Sequence, residues 1–366
     1  MARPDATGGW IGGPGFDAFF FFGSGVIAVA AGLLMLAAPA LVLPVWFAWI
    51  WLVEGPHLFA TWQRAYLDTA YRRQHRRMLA ASLLWFLPGP LALMVSQLTG
   101  QPGPFLLFLG AVGIWSFHHA VRQHHGIQSI YQRLGGAGEP GRTTDRRLLH
   151  AVLWMAFALF LFGHPLNRQL IGLGSLQGAE ALAIGALACV LALCVLAWAA
   201  LLVLRWRRGE ALKAGMFGLF VAAGTVLFSL FVVGMREPLL AGAVTTEQLF
   251  MAATLIGGTL HGIQYLGIVI ATERRRAGAA AGSLSARLGK APLAAYALML
   301  VASFAYVALN LARGASPRWA FADPFATQLF LALYWGLFCH HFWLDQKIWK
   351  PSQDARLRAE LGLGTV

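Results

Sequence analysis

The sequence predicts an all-α, polytopic integral membrane bundle of about ten transmembrane helices, and three observations carry that prediction. Hydrophobic residues fill 58% of the 366 positions. Mean hydropathy is +0.63. Charged residues gather in short clusters between long apolar runs. A soluble domain of this length has too little core to hide so much apolar surface, so the bilayer is the expected solvent.

The runs are read in order, bounded by Arg clusters or Gly/Pro-rich turns. Residues 17–39 and 41–63 form the first two spans, separated only by the stretch from Pro39 to Pro44. The third, 79–98, is interrupted by Pro88 and Pro90. Further spans are expected at 104–131, 149–169, 181–204, 212–234, 248–271, 291–312 and 325–346. Each is long enough to cross a core of roughly 30 Å at about 1.5 Å per residue. No separate soluble domain, internal repeat or extended low-complexity region stands out, so residues 1–366 read as a single integral membrane domain.

Charge sets the orientation. Lys and Arg in alternate connections number 23 on one side and 4 on the other, with Arg122 alone well inside a span. The positive-inside rule then places both termini in the cytoplasm. The net charge of +13 is therefore topological, with anionic lipid headgroups as its partner and no single basic patch for nucleic acid. Asp5 and Asp17 precede the first apolar run and no small-residue cleavage site follows a short one, so the first helix is expected to stay. Cys189, Cys194 and Cys339 lie in apolar spans without pair spacing, which indicates neither disulfide nor thiolate cluster, and Cys339, beside His340, reads as a packed thiol.

Ten of the eleven histidines fall within these spans. A charged side chain in hydrocarbon costs roughly 2.5 kcal/mol or more, so something must offset the burial, and metal coordination is the leading candidate. His57, His118, His119, His125, His261, His340 and His341, with Glu54 and Asp345, all fall between the middle and the cytoplasmic end of the inward-running second, fourth, eighth and tenth spans. Chance would scatter them over both leaflets. Residues three, four and seven apart share a helix face, which pairs Glu54 with His57, His118 with His125 and His341 with Asp345. Gly55 and Pro56 interrupt the first pair, which leaves two outcomes open: Glu54 beside His57, or Glu54 turned elsewhere by a kink.

An imidazole-rich set with carboxylates and no thiolate suits iron, zinc or copper, one or two ions, and not magnesium or calcium. Asp345 and Glu54 are the candidate carboxylate ligands or catalytic groups. Gln123, Gln264 and Arg122 are candidates to orient the ligands, and Arg64 to do the same or to bind an anionic head. Taken singly, a membrane histidine such as His261 is more often an interhelical hydrogen-bond partner than a ligand. His75, His124, His150 and His164 read as ordinary interfacial or loop residues, with His124 replacing His125 if the fourth helix carries a bulge.

The segments EGPHLFATWQRAYLD from Glu54, FHHAVRQHHGI from Phe117, HGIQYLGIV from His261 and HHFWLDQKIWK from His340 resemble, in order, the four histidine boxes of a group of bacterial polytopic membrane proteins without an assigned activity. That resemblance implies a bacterial inner (cytoplasmic) membrane and four linked boxes. A looser likeness is to membrane fatty-acid desaturases and hydroxylases, whose histidine boxes bind two irons on the cytosolic side. This chain departs from them in having about ten spans where they have about four, and in lacking clean HxxxH and HxxHH boxes. The likeness therefore implies chemistry and not fold.

The function expected is a metal-dependent, oxygen-using oxidoreductase acting on a lipid-like hydrophobic small molecule, with electrons from a cytoplasmic donor. Two alternatives come from other classes. A haem-b electron carrier needs axial histidines but neither doublets nor carboxylates. A proton- or metal-coupled transporter also buries His, Glu and Asp, although no inverted repeat accompanies them here.

Overall fold

The computed structural model describes residues 9–135, 139–164, 167–168, 173–175, 177–234, 246–279, 284–312 and 325–363. Among them there is no strand, and the chain is all-α. Seven helices are long and apolar enough to cross a membrane: α1 (Pro14–Met35), α2 (Val42–Leu67), α3 (Arg76–Thr99), α4 (Gly103–Leu134), α5 (Gly141–Gly163), α6 (Gly178–Arg207) and the Met251–Arg276 part of α8. Helices also occupy the positions of the other three predicted spans: α7 (Lys213–Gly234), α9 (Pro292–Ala312) and α10 (Phe325–Ile348); α8 in full runs Thr246–Ala279. For those three positions the expectation of a crossing still stands on the sequence. Gly136, residues 280–283 and parts of 165–176 lie outside the described residues. The protein is a multi-pass membrane protein.

Local chemistry explains the irregularities that the sequence flagged. Pro56 has no N–H and its ring crowds the carbonyl one turn back. α2 stays continuous by widening into a π-turn at Ile50–Glu54, just before Gly55 and Pro56, as π-bulges do where the regular ladder is broken. In α3, Pro88 begins the segment Pro88–Thr99, where its missing N–H costs nothing, and a 3-10 turn covers Leu83–Phe86 ahead of it. Gly100, at φ 66°, ends that segment in the left-handed conformation that glycine adopts without strain.

The chain divides into two compact units, Met1–Val53 with Val121–Ile268, and Glu54–Ala120 with Val269–Val366. In the first unit, Asp17 accepts hydrogen bonds from the backbone of Ile11 (2.8 Å) and Gly12 (2.7 Å) and from the Tyr131 hydroxyl (2.7 Å). Asp145 on α5 takes both contacts from Arg205 Nη1 on α6, at 2.8 and 2.9 Å, and the Trp198 indole at 3.2 Å.

In the second unit, α3 lies so close to α10 that a Cβ on Gly89 would sit 2.5 Å from the Ala332 carbonyl oxygen. Small residues permit such an approach between apolar helices. Leu58, Val112, Phe338, Cys339 and Phe342 form an apolar core here, so Cys339 is a packed thiol.

The same unit holds a buried ion network. Arg64 of α2 bonds Glu360 at 3.0 Å and Glu273 at 3.5 Å, with its guanidinium 4.5 Å over the Trp349 ring. Arg276 forms ion pairs with Asp68, Glu273 and Glu360 at 3.0, 3.0 and 2.8 Å. Glu360 belongs to the short terminal helix Ala355–Glu360, whose neighbours Leu357 and Leu361 are buried. Burial alone would raise the Glu360 carboxyl, but Arg276 and Arg64 outweigh it and hold it below its ordinary range.

Candidate metal centre

Three histidines of the second unit converge. His57 on α2, His119 on α4 and His341 on α10 are all buried, and their ligand nitrogens lie within 4.8 Å of one another. Ring centroids stand 4.4 Å apart for His57 and His341, 5.0 Å for His119 and His341, and 6.5 Å for His57 and His119. Asp345, one turn beyond His341, lies beside two of them: its Oδ2 is 3.6 Å from His119 Nε2 and 3.6 Å from His341 Nε2. Atoms about 2.0–2.1 Å from one ion in a tetrahedral arrangement stand roughly 3.4 Å apart. The two 3.6 Å separations are close to that value.

The tautomer of His341 follows from its partner. Thr61 Oγ1 lies 2.9 Å from Asp345 Oδ1 and 2.8 Å from His341 Nδ1. A hydroxyl has one proton, and an ionised carboxylate only accepts, so Thr61 donates to Asp345. His341 Nδ1–H then donates to Thr61, which leaves the lone pair of His341 on Nε2. One hydroxyl thus orients both an imidazole and a carboxylate, as groups behind metal ligands do. Phe342 stacks on His119 at 4.7 Å and closes an apolar wall beside it.

Glu54 is buried, with Oε2 3.9 Å from His57 Nδ1. The π-turn keeps this pair on one side of α2 despite Gly55 and Pro56. The distance is too long for a hydrogen bond.

His118 is exposed on α4, one residue and about 100° round from buried His119. His340 is buried but faces Tyr66, Trp62 and Phe86. In the first unit, His125 is half-buried, its ring 5.1 Å from that of His150. Its neighbour His124 is buried and bonds Gln264 Oε1 at 2.9 Å, while Gln264 Nε2 donates to the Phe21 carbonyl at 3.2 Å. Gln123 donates to the His261 carbonyl at 2.8 Å. His261 itself is buried on α8. Arg122 is exposed, and Arg64 belongs to the ion network described above.

Thr61 was not singled out by the sequence, although it lies four residues after His57 and so on the same face. Trp62 and Tyr66, the neighbours of His340, carried no signal beyond being aromatic residues near a helix end.

The class of protein that fold and site define is an all-α multi-pass membrane protein with a buried histidine cluster able to hold a metal ion. Comparison with protein-family models, curated proteins and solved structures gives no match to this chain.

Proposed function

We propose that the protein is a membrane-embedded, metal-dependent oxidoreductase that uses oxygen on a lipid-like hydrophobic substrate, with one ion held by His57, His119, His341 and Asp345. The observation that carries the metal reading is the triangle of His119 Nε2, His341 Nε2 and Asp345 Oδ2, with Thr61 fixing two of its members. Nitrogen and carboxylate donors without thiolate favour iron, with zinc and copper as lesser fits. Such an iron, when bound, would supply oxygen activation. Glu54, beside His57, is the group available to move a proton, and the apolar helices would hold the substrate chain. Haem is disfavoured because it takes two axial side chains and leaves a third imidazole and a carboxylate without a task. The sequence argument adds His261 as a further ligand candidate.

The reading also assigns the protein to a bacterial inner membrane with both termini cytoplasmic and an electron donor on that side, supported by the charge asymmetry and the resemblance of the boxes. Its test is a comparison of lipid extracts from cells expressing the wild type or Asp345→Asn under isotopically labelled oxygen. Species that gain an oxygen atom or lose two hydrogens only with the wild type are expected. Identical extracts would contradict the oxidoreductase reading.

A further inference from the structure

The two members of the His340–His341 doublet differ in which ring nitrogen carries the proton, and a chain of hydrogen bonds shows it. The indole of Trp62 can only donate, and its Nε1 lies 3.4 Å from His340 Nδ1. At the other end, Ser82 Oγ donates to the Leu79 carbonyl at 2.6 Å, and a carbonyl only accepts. Between these ends, Tyr66 Oη stands 3.1 Å from Ser82 Oγ and 2.9 Å from His340 Nε2.

The polarity is fixed from both directions. Ser82 spends its one proton on Leu79, so Tyr66 donates to Ser82. The Tyr66 oxygen then accepts from His340 Nε2–H, and His340 Nδ1 accepts from Trp62. His340 is therefore a neutral imidazole with its proton on Nε2 and its lone pair engaged by an indole. His341, whose Nδ1–H donates to Thr61 at 2.8 Å, has the opposite tautomer and a lone pair on Nε2. Adjacent side chains on a helix point about 100° apart, so anchoring one sets the direction of the other.

We propose that His340 is a positioning residue and not a metal ligand: held between Trp62 and Tyr66, it sets the rotation of α10 that brings His341 Nε2 beside His119 Nε2 and Asp345 Oδ2. This rests on the metal reading given above. It also reduces the histidines of the tenth span that serve the metal from two to one.

The test uses the full-length protein in lipid, ¹⁵N-labelled at histidine, with Co(II) alone as the probe. Without metal, solid-state NMR should show His340 protonated on Nε2 and His341 on Nδ1. With Co(II), the His341 signal should move and the His340 signal should keep its tautomer. His340→Gln, which replaces the Nε2–H by a carboxamide N–H, should retain the d–d spectrum and the number of coordinated imidazoles. His340→Leu should keep that number while binding Co(II) about 10- to 100-fold more weakly, the usual cost of disturbing a group that orients ligands. His341→Gln should lose one imidazole from the coordination. Loss of an imidazole in His340→Gln would overturn the proposal. If the wild type binds no Co(II), the metal reading fails, and His340 is then judged on the metal-free spectrum, where protonation on Nδ1 would overturn its assignment.

Discussion

Thr61 Oγ1 stands 2.9 Å from Asp345 Oδ1, joining a helix of the N-terminal half of the chain to one near its end. The same oxygen receives His341 Nδ1–H, so a single buried hydroxyl sets the direction of two donor groups. Thr61→Val removes the hydroxyl at nearly constant shape. We expect it to weaken metal binding about 10- to 100-fold, whereas Thr61→Ser should stay close to the wild type. Metal titration of the three proteins checks this, and equal affinities would show that the hydroxyl orients nothing.

Asp345→Asn keeps the shape of the side chain but removes its charge. An amide oxygen is a poorer ligand than a carboxylate for a transition metal, so bound metal should fall sharply while the helical signal in circular dichroism stays unchanged. Full metal content in Asp345→Asn would move the carboxylate out of the coordination.

The terminal helix carries a pH dependence whose sign follows from Glu360. Arg276 and Arg64 hold its carboxyl below the ordinary range when docked, so the released segment takes up a proton first as pH falls. Docking is therefore fully stabilised above the ordinary glutamate value of 4.5 and is lost as pH drops through the depressed value. Hydrogen exchange over residues 349–363 should accelerate in acid for the wild type. In Glu360→Gln it should already be fast at neutral pH and change little on acidification.

The charge split of 23 to 4 predicts topology. Tags at both termini and at Gly136, which lies outside the described residues, should be cytoplasmic, and a tag near Gly174 should be on the opposite face. Accessibility labelling that finds Gly136 and Gly174 on one side would contradict the order of the spans.

Much of this arrangement was legible in the sequence, and the rest was hidden for identifiable reasons. Apolar runs located the helices, but α8 continues to Ala279 because Glu273 and Arg276 find partners within the fold and need no loop. The spacing of His341 and Asp345 showed that they share a face. Nothing in the sequence could choose His119 over His118, or His124 over His125, because the choice depends on how far each helix is rotated by its packing. The partner of Arg64 was equally hidden, since Glu360 lies almost the whole chain away.

Metal content of the purified protein, measured by mass spectrometry on the wild type, His57→Ala, His119→Ala, His261→Ala, His341→Ala and His164→Ala, tests the central claim most directly. His164 is buried at the end of the fifth helix, in the half of the bilayer that the sequence places away from the boxes, and serves as the control. One transition-metal ion per chain is expected in the wild type and in His164→Ala, with most of it lost in His57→Ala, His119→Ala and His341→Ala; the His261→Ala result decides whether that box contributes a ligand. Metal far below one ion per chain in the wild type, or retained in full by His341→Ala, would contradict a single centre built on these imidazoles.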